Sequence, residues 1–304
     1  MTSQPSSLLD ALPAVDWEGA AVVATPPEPR AGSWAGGPSA QLVDGTTWLA
    51  YRLRKPVGEG RGFANVVARS SGGDAYEPVA EVRRESFGGD SLERPALVVT
   101  PEGGWRLYVS VALPGTKAWR VDLLEASSPE GLATAVPRTV LPATELAAPK
   151  DPVVRLLPDR RWHLWASVHP LDDPLATDRM TTEHAVSDDG VSWAWTGTAL
   201  APRAGTWEER GVRVSTVVVA DDQLVALYDG RATELEDWEE RTGVAFGKDP
   251  EQLQAVGDLP LLSSVHPPHG LRYVELLALP EGRWRVFAEV TRPDGSHDLR
   301  TTVL

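Results

Sequence analysis

Short apolar and aromatic runs, separated by polar turns rich in Gly, Pro, Asp and Ser, fill the chain from near residue 20 to its end. Trp48-Leu49-Ala50-Tyr51, Trp105-Arg106-Leu107-Tyr108 and Trp162-His163-Leu164-Trp165 are examples. Turns such as Pro101-Glu102-Gly103-Gly104 and Pro280-Glu281-Gly282-Arg283 bound such runs. The runs are too short for helices and lack apolar positions spaced three and four apart, so the pattern predicts strands and excludes a helical solenoid.

The runs repeat. Gly37-Pro38-Ser39-Ala40-Gln41-Leu42-Val43, Arg94-Pro95-Ala96-Leu97-Val98-Val99-Thr100 and Asp151-Pro152-Val153-Val154-Arg155-Leu156-Leu157 align without gaps. Their prolines are 57 residues apart each time, and so are Trp48, Trp105 and Trp162, which open the following runs. Two looser copies follow, Arg213–Val218 with Leu224–Tyr228, and Arg272–Leu277 with Trp284–Phe287. A third strand in a copy often ends in a turn such as Ser187-Asp188-Asp189-Gly190. Several short strands repeated radially at this period are the pattern of a β-propeller. The expected fold is therefore all-β: a single five-bladed β-propeller over residues 1–304, with antiparallel four-stranded blades. The fifth copy stops at Leu304 after its third strand, and a bare sheet edge is a liability. Ala20-Ala21-Val22-Val23-Ala24 is expected to supply the outer strand of that blade and close the ring.

Composition narrows the chemistry. With 42% hydrophobic and 24% charged residues the chain can bury a sizeable core and is not a disordered sequence. Most of its twelve Trp are read as packing between blades. Without Cys it has neither disulfides nor thiolate metal sites nor a cysteine nucleophile. A net charge of −14 argues against nucleic-acid and anionic-membrane partners and leaves small molecules. Met1-Thr2-Ser3-Gln4-Pro5 shows no secretory leader, and no stretch has the apolar length of a membrane span, so a cytoplasmic location is expected. Gly-rich phosphate loops, zinc-binding His-Glu-x-x-His and nucleophile elbows are not found in the sequence.

In this blade pattern, which covers nearly the whole chain, the sequence resembles the five-bladed glycoside hydrolases of families 43, 32, 68 and 130. The local matches are Lys150-Asp151-Pro152-Val153, Trp207-Glu208-Glu209-Arg210-Gly211-Val212-Arg213 and Tyr228-Asp229-Gly230. Family 43 places three carboxylates in a central funnel: a base Asp in the first blade, an orienting Asp in the third, and an acid Glu before the fourth. The resemblance thus implies glycosidic cleavage, with Asp151 orienting and Glu209 as acid. Glu93, in Glu93-Arg94-Pro95, stands where family 130 carries an acidic pair. The first blade departs from the pattern, because Gly37 stands in place of the base. Inverting hydrolysis needs both an acid and a carboxylate that activates water. Phosphorolysis, with phosphate replacing that water, tolerates the loss better. The resemblance also allows a structural calcium ion on the axis, with a fifth-blade histidine, and His266 and His269 are the histidines at hand; no other cofactor is expected.

The residue that opens each innermost strand should face the funnel, and this gives Gly37, Arg94, Asp151, Arg213 and Arg272. Lys150, Arg210 and His269 adjoin them in sequence. Guanidinium groups hold carboxylate or phosphate through paired hydrogen bonds, so the ring suits an anionic ligand. The competing reading is an internal salt-bridge network with Glu93, Asp151, Glu208 and Glu209. The candidates are therefore Asp151, Glu209 and Glu93 for catalysis, and Arg94, Lys150, Arg210, Arg213, Arg272, His269 and Trp207 for substrate. The run Glu234–Glu240 is read as a solvated loop or short helix, and the loop His169–Pro174 as part of the funnel rim. The expected function is a glycoside hydrolase-like enzyme, cleaving by hydrolysis or phosphorolysis, on a sugar or an anionic metabolite. The alternatives are a non-glycosidase enzyme on the same scaffold, or a carbohydrate-binding propeller without catalysis.

Overall fold

The computed structural model describes residues 5–220 and 223–304; Met1–Gln4, on which the reading of a missing leader partly rests, lie outside the described residues. A strand β1 (Ala21–Ala24) precedes a series of meanders. The first comprises β2 (Trp34–Val43), β3 (Thr46–Arg54), β4 (Gly62–Ser70) and β5 (Glu77–Arg83). The second comprises β6 (Ser91–Val99), β7 (Trp105–Ala112), β8 (Trp119–Ala126) and β9 (Arg138–Leu141). Next come β10 (Ala147–Leu156), β11 (Trp162–Pro170), β12 (Thr181–Ser187) and β13 (Ala194–Leu200). They are followed by β14 (Gly211–Ala220), β15 (Gln223–Arg231), β16 (Arg241–Asp249) and β17 (Gln252–Val256). The chain finishes with β18 (Leu271–Ala278), β19 (Trp284–Thr291) and β20 (His297–Val303).

Neighbouring strands within each meander pair antiparallel. β1 lies antiparallel to β20, with Ala21 opposite Thr301 and Val22 opposite Arg300. A parallel bridge from Trp34 to His297 joins the first meander to the last in one sheet.

Apolar side chains leave both faces of the strands and meet those of the next meander. Tyr108 and Ala96 pack with Val154 and Leu164, Trp165 and Val153 with Val214 and Tyr228, and Val225 and Leu227 with Val274 and Val286. The core is thus a series of layers between consecutive sheets, as in face-to-face sheet packing. Tryptophans fill these layers: Trp48 meets Trp105 edge-on with ring centroids 4.9 Å apart.

The innermost strands share a bulge. Pairing skips from Gly36 to Ser39 in β2, from Leu92 to Pro95 in β6, from Lys150 to Val153 in β10 and from Arg272 to Glu275 in β18. The left-handed residue in three of them is Gly37 (φ 63°), Asp151 (φ 52°) and Tyr273 (φ 51°). Bulges re-aim side chains, and they tolerate proline because its missing N–H leaves no ladder bond unmade. That is why Pro38, Pro95 and Pro152 recur at one place.

The bulges correct the ring read from the sequence, which mixed two registers. Arg272 lies opposite Glu289, Arg213 opposite Asp229 and Lys150 opposite Ser167, so these three are equivalent. The row at the mouth is Gly36, Glu93, Lys150, Arg213 and Arg272. The next row, with Gly37, Arg94, Asp151 and Tyr273, turns inward along the axis.

Candidate functional site

A cavity of about 150 Å³ opens where the innermost strands converge. Among the described residues, eight basic and four acidic side chains line it, in a chain whose net charge is −14. Of the expected residues, Glu93, Lys150, Arg213 and Arg272 reach this cavity. Arg52 and Arg54 from β3, Arg61, Trp119 from β8, Arg231 from β15, Trp238 and Tyr273 join them. The second-strand arginines escaped the sequence reading. Their trace is Arg52 and Arg54, two residues apart in an otherwise apolar strand, so that both point to one face.

The acids and bases form a buried lattice. Arg213 donates to both Asp229, at 2.9 Å, and Asp151, at 3.3 Å, and lies 3.8 Å from the centre of the Tyr273 ring. The Tyr273 hydroxyl donates to Asp151 Oδ2 at 3.1 Å. Arg272 donates to Glu240 and Glu289, and Arg52 to Glu93 and Glu289. Burial alone would push the Glu240 and Glu289 carboxyls up, but the surrounding guanidinium groups hold both well below the usual carboxylate range. Glu93 is likewise held well below it, with Arg52 and Arg54 outweighing its burial. Asp229 is the exception: burial outweighs Arg213 and, with Glu240 nearby, raises its pKa to about 6.

Arg94 is buried and does not line the cavity. Its guanidinium donates to the carbonyls of Pro38, Pro152 and Ser215 and to Glu275 Oε2, touching the innermost strand of every other meander. It pins the axis, and each of its side-chain nitrogens has an acceptor. An axial calcium ion does not fit here, because a guanidinium already holds the converging carbonyls. His269 bonds through Nδ1 to the Ser264 carbonyl and His266 to Glu18, both away from the cavity. Among the described residues, no three His, Asp or Glu side chains are grouped to hold a metal.

The fourth-meander motif also falls elsewhere. Glu209 is exposed and accepts from the Gly205 amide, so it does not meet Asp151. Glu208 is buried against Arg203 and the Tyr228 hydroxyl, and Trp207 stacks on Tyr228 inside the sheet layer. Arg210 makes a two-pronged bond to Asp178 at 2.8 Å, tying the rim together. The space at the first-blade base is filled from another strand: a side chain at Gly36 would collide with the Glu289 carboxylate, and one at Gly37 would press on Arg94.

The loop expected at the rim and the acidic run expected to be solvated differ in outcome. His169 reaches the cavity, donating from Nδ1 to the Thr177 carbonyl at 2.7 Å. A carbonyl only accepts, so the proton is on Nδ1 and Nε2 is a bare acceptor; Nε2 is buried without a partner. Burial holds this imidazole neutral, with a pKa lowered to about 3. The acidic run does contain a short 3-10 turn, Glu234–Glu236, but the carboxylates at its end are drawn into ion pairs. Asp237 bonds Arg231, Glu240 bonds Arg231 and Arg272, and Glu239 meets His297 at 3.1 Å. The arginines of β15 and β18 need counter-charges, and this segment turns inward to supply them. Trp238 rides with it into the cavity at φ 74°.

The family described as glycosyl hydrolases family 32 N-terminal domain matches residues 149–270. Among curated proteins, none matches the sequence. A thermostable family-43 glycoside hydrolase superposes with TM-score 0.66 at 14% identity, covering 88% of each chain. A GH43_1 enzyme from Xanthomonas citri, solved with xylotriose, gives TM-score 0.66 at 14% identity over 98% of this chain and 93% of the other. RS223 β-xylosidase gives TM-score 0.65 at 12% identity, over 91% and 93%. The chain therefore shares the fold of these family-43 glycoside hydrolases, and residues 149–270 match the family 32 N-terminal domain.

Proposed function

We propose that residues 1–304 form one five-bladed propeller, closed by β1, whose axial cavity takes a sugar bearing negative charge for glycosidase-like cleavage. The observation that carries this reading is a set of unpartnered polar atoms in a cavity lined by Trp34, Trp119 and Trp238. Arg54 Nε and Nη2 and Arg61 Nε are donors without acceptors, and His169 Nε2 is an acceptor without a donor. The indole of Trp238, 41% exposed, suits the apolar face of a sugar ring, a hydroxyl suits His169, and an anionic group suits the arginines.

The chemistry follows from which carboxylates are free. Glu93, clamped between Arg52 and Arg54, is a poor proton carrier, and Asp151 orients Arg213 and Tyr273. With glycine in place of a base, attack by phosphate suits this cavity better than attack by activated water. A second reading, binding without catalysis, is favoured by the same clamping, since each acid lining the cavity has an arginine partner. Aryl glycosides screened with and without phosphate separate the two. Phosphate-dependent release of the aryl group is the expected result. Sugar binding in calorimetry with no release under either condition would establish the second reading instead.

A further inference from the structure

We propose that Arg54, Arg61, Lys117 and Lys150 form a subsite for a phosphoryl group, carried by the sugar as a phosphomonoester or entering as inorganic phosphate. The inference rests on the reading of the cavity as a sugar site and names the anion and its place. The cavity is electrically divided. On the side built by β14, β15 and β18, every guanidinium has its carboxylates: Arg213 has Asp151 and Asp229, Arg231 has Asp237 and Glu240, and Arg272 has Glu240 and Glu289. Arg231 Nε and Arg272 Nη2 are also buried without hydrogen-bond acceptors, but the charge of those arginines is already balanced by the carboxylates around them.

The opposite side is under-compensated. Arg54 is 2% exposed and has one carboxylate, Glu93, which it shares with Arg52. Its Nε and Nη2 are buried without partners, and its guanidinium lies 4.1 Å from the centre of Trp34 and 5.1 Å from that of Trp238. Burial pulls its pKa down to about 10, with Glu93 alone opposing. Among the described residues, no ion pair includes Arg61 or Lys117, and Arg61 Nε is also buried and unpartnered. The Lys150 ammonium is 3.5 Å from Asp151, an oxygen already claimed by Arg213 and Tyr273, and 4.4 Å from the centre of Trp119. Cations desolvated at such cost are retained where an anion completes them.

Shape and charge favour phosphoryl over carboxylate. A carboxylate offers two coplanar oxygens, which one guanidinium fork satisfies. Here the donors arrive from β3, from the turn before β4, from the turn between β7 and β8, and from β10, so acceptors pointing in several directions fit them better. A phosphomonoester presents three such oxygens and close to two negative charges at neutral pH, matching a cluster that exceeds its acids by more than one charge.

Titration calorimetry with hexose and pentose monophosphates, inorganic phosphate, glucuronate and methyl xyloside tests this. At least one phosphoryl compound should bind more than ~10-fold tighter than glucuronate. Arg61→Ala, a half-buried site with no ion pair to lose, should weaken that compound by roughly 10- to 100-fold without moving the melting temperature, the usual worth of a charged hydrogen bond. Lys117→Ala, at an exposed position, should act in the same direction. Inorganic phosphate binding as tightly as the best ester identifies free phosphate as the source, and weaker binding identifies the ester. Glucuronate binding as tightly as any phosphoryl compound, or unchanged phosphoryl affinity in both variants, overturns the inference. If methyl xyloside binds and no phosphoryl compound does, the inference fails while the sugar reading stands. If inorganic phosphate binds through Arg61 and no sugar binds at all, the sugar reading fails and the subsite stands.

Discussion

Arg213 shows how one side chain can be read two ways until its partners are known. It is buried between Asp151 and Asp229, with Glu240 3.7 Å away. Burial works against its charge, yet Tyr273 and these three acids raise its pKa well above the ordinary value. Such a residue holds the lattice together. Arg213→Ala strands two buried carboxylates and is expected to cost about 3–5 kcal/mol, read in a denaturant melt. A variant that melts normally but loses ligand affinity would move Arg213 into the binding set. Arg61→Ala should behave in the opposite way, because among the described residues no ion pair includes Arg61, and its charge meets only the Trp119 ring at 5.8 Å and, more distantly, Glu93. The distinction between spent and available arginines is therefore measurable with two variants.

Paired strands carry their own pH dependence. Across β11 and β12, His163 Nδ1 and His184 Nε2 are 3.0 Å apart, with Asp159 and Thr196 at the two ends of the chain of bonds. Burial, with His163 beside it, lowers the His184 pKa from 6.5 to about 4. The unfolded chain thus binds the proton more readily, so stability from this site is fully present above pH 6.5 and is lost as pH falls towards 4. Asp229 works in the other direction: its folded pKa of about 6 exceeds 3.8, so its contribution is present below 3.8 and lost as pH rises through 6. The histidine contribution is isolated by comparing the chain with a His184→Asn variant between pH 7 and pH 4.5. The unmodified chain should lose on the order of 1–3 kcal/mol more than the variant. Equal slopes would mean that the pair opens and takes up the proton without penalty.

For the molecule as a whole, the proposed closure rests on how the segments near its two ends meet. β1 covers β20, while Leu8, Leu12 and Trp17 pack into the layer formed by Val225, Leu227, Val274 and Val286. Deleting residues before Pro26 uncovers this layer and bares a sheet edge. The melting temperature should fall by more than about 5 °C, since burying even two leucines is worth several kcal/mol. An unchanged melting temperature would show that the terminal segment is an ornament on a ring that closes without it. Charge is also organised at this scale. A net charge of −14 coexists with a cavity lined by twice as many bases as acids, so the exterior is more acidic than the total implies.

What the sequence by itself determined was everything that neighbours along the chain dictate. The short apolar runs, the turns and the 57-residue step carried the strands, their meanders and the common place of Pro38, Pro95 and Pro152. They also put Glu93, Lys150, Arg213 and Arg272 near the starts of innermost strands, and these four line the cavity. The register at the bulges was not legible, because one unpaired residue shifts which side chain faces the mouth and the repeat alone does not say which one is skipped. Nor was the division into spent and available cations. Arg52 meets Glu289 and Arg94 meets Glu275 across most of the chain, and the acidic run near residue 240 looked solvated until its arginines were in place. Tertiary structure decided these points because charge compensation in a buried lattice depends on which strands converge at the axis, and no local pattern encodes that.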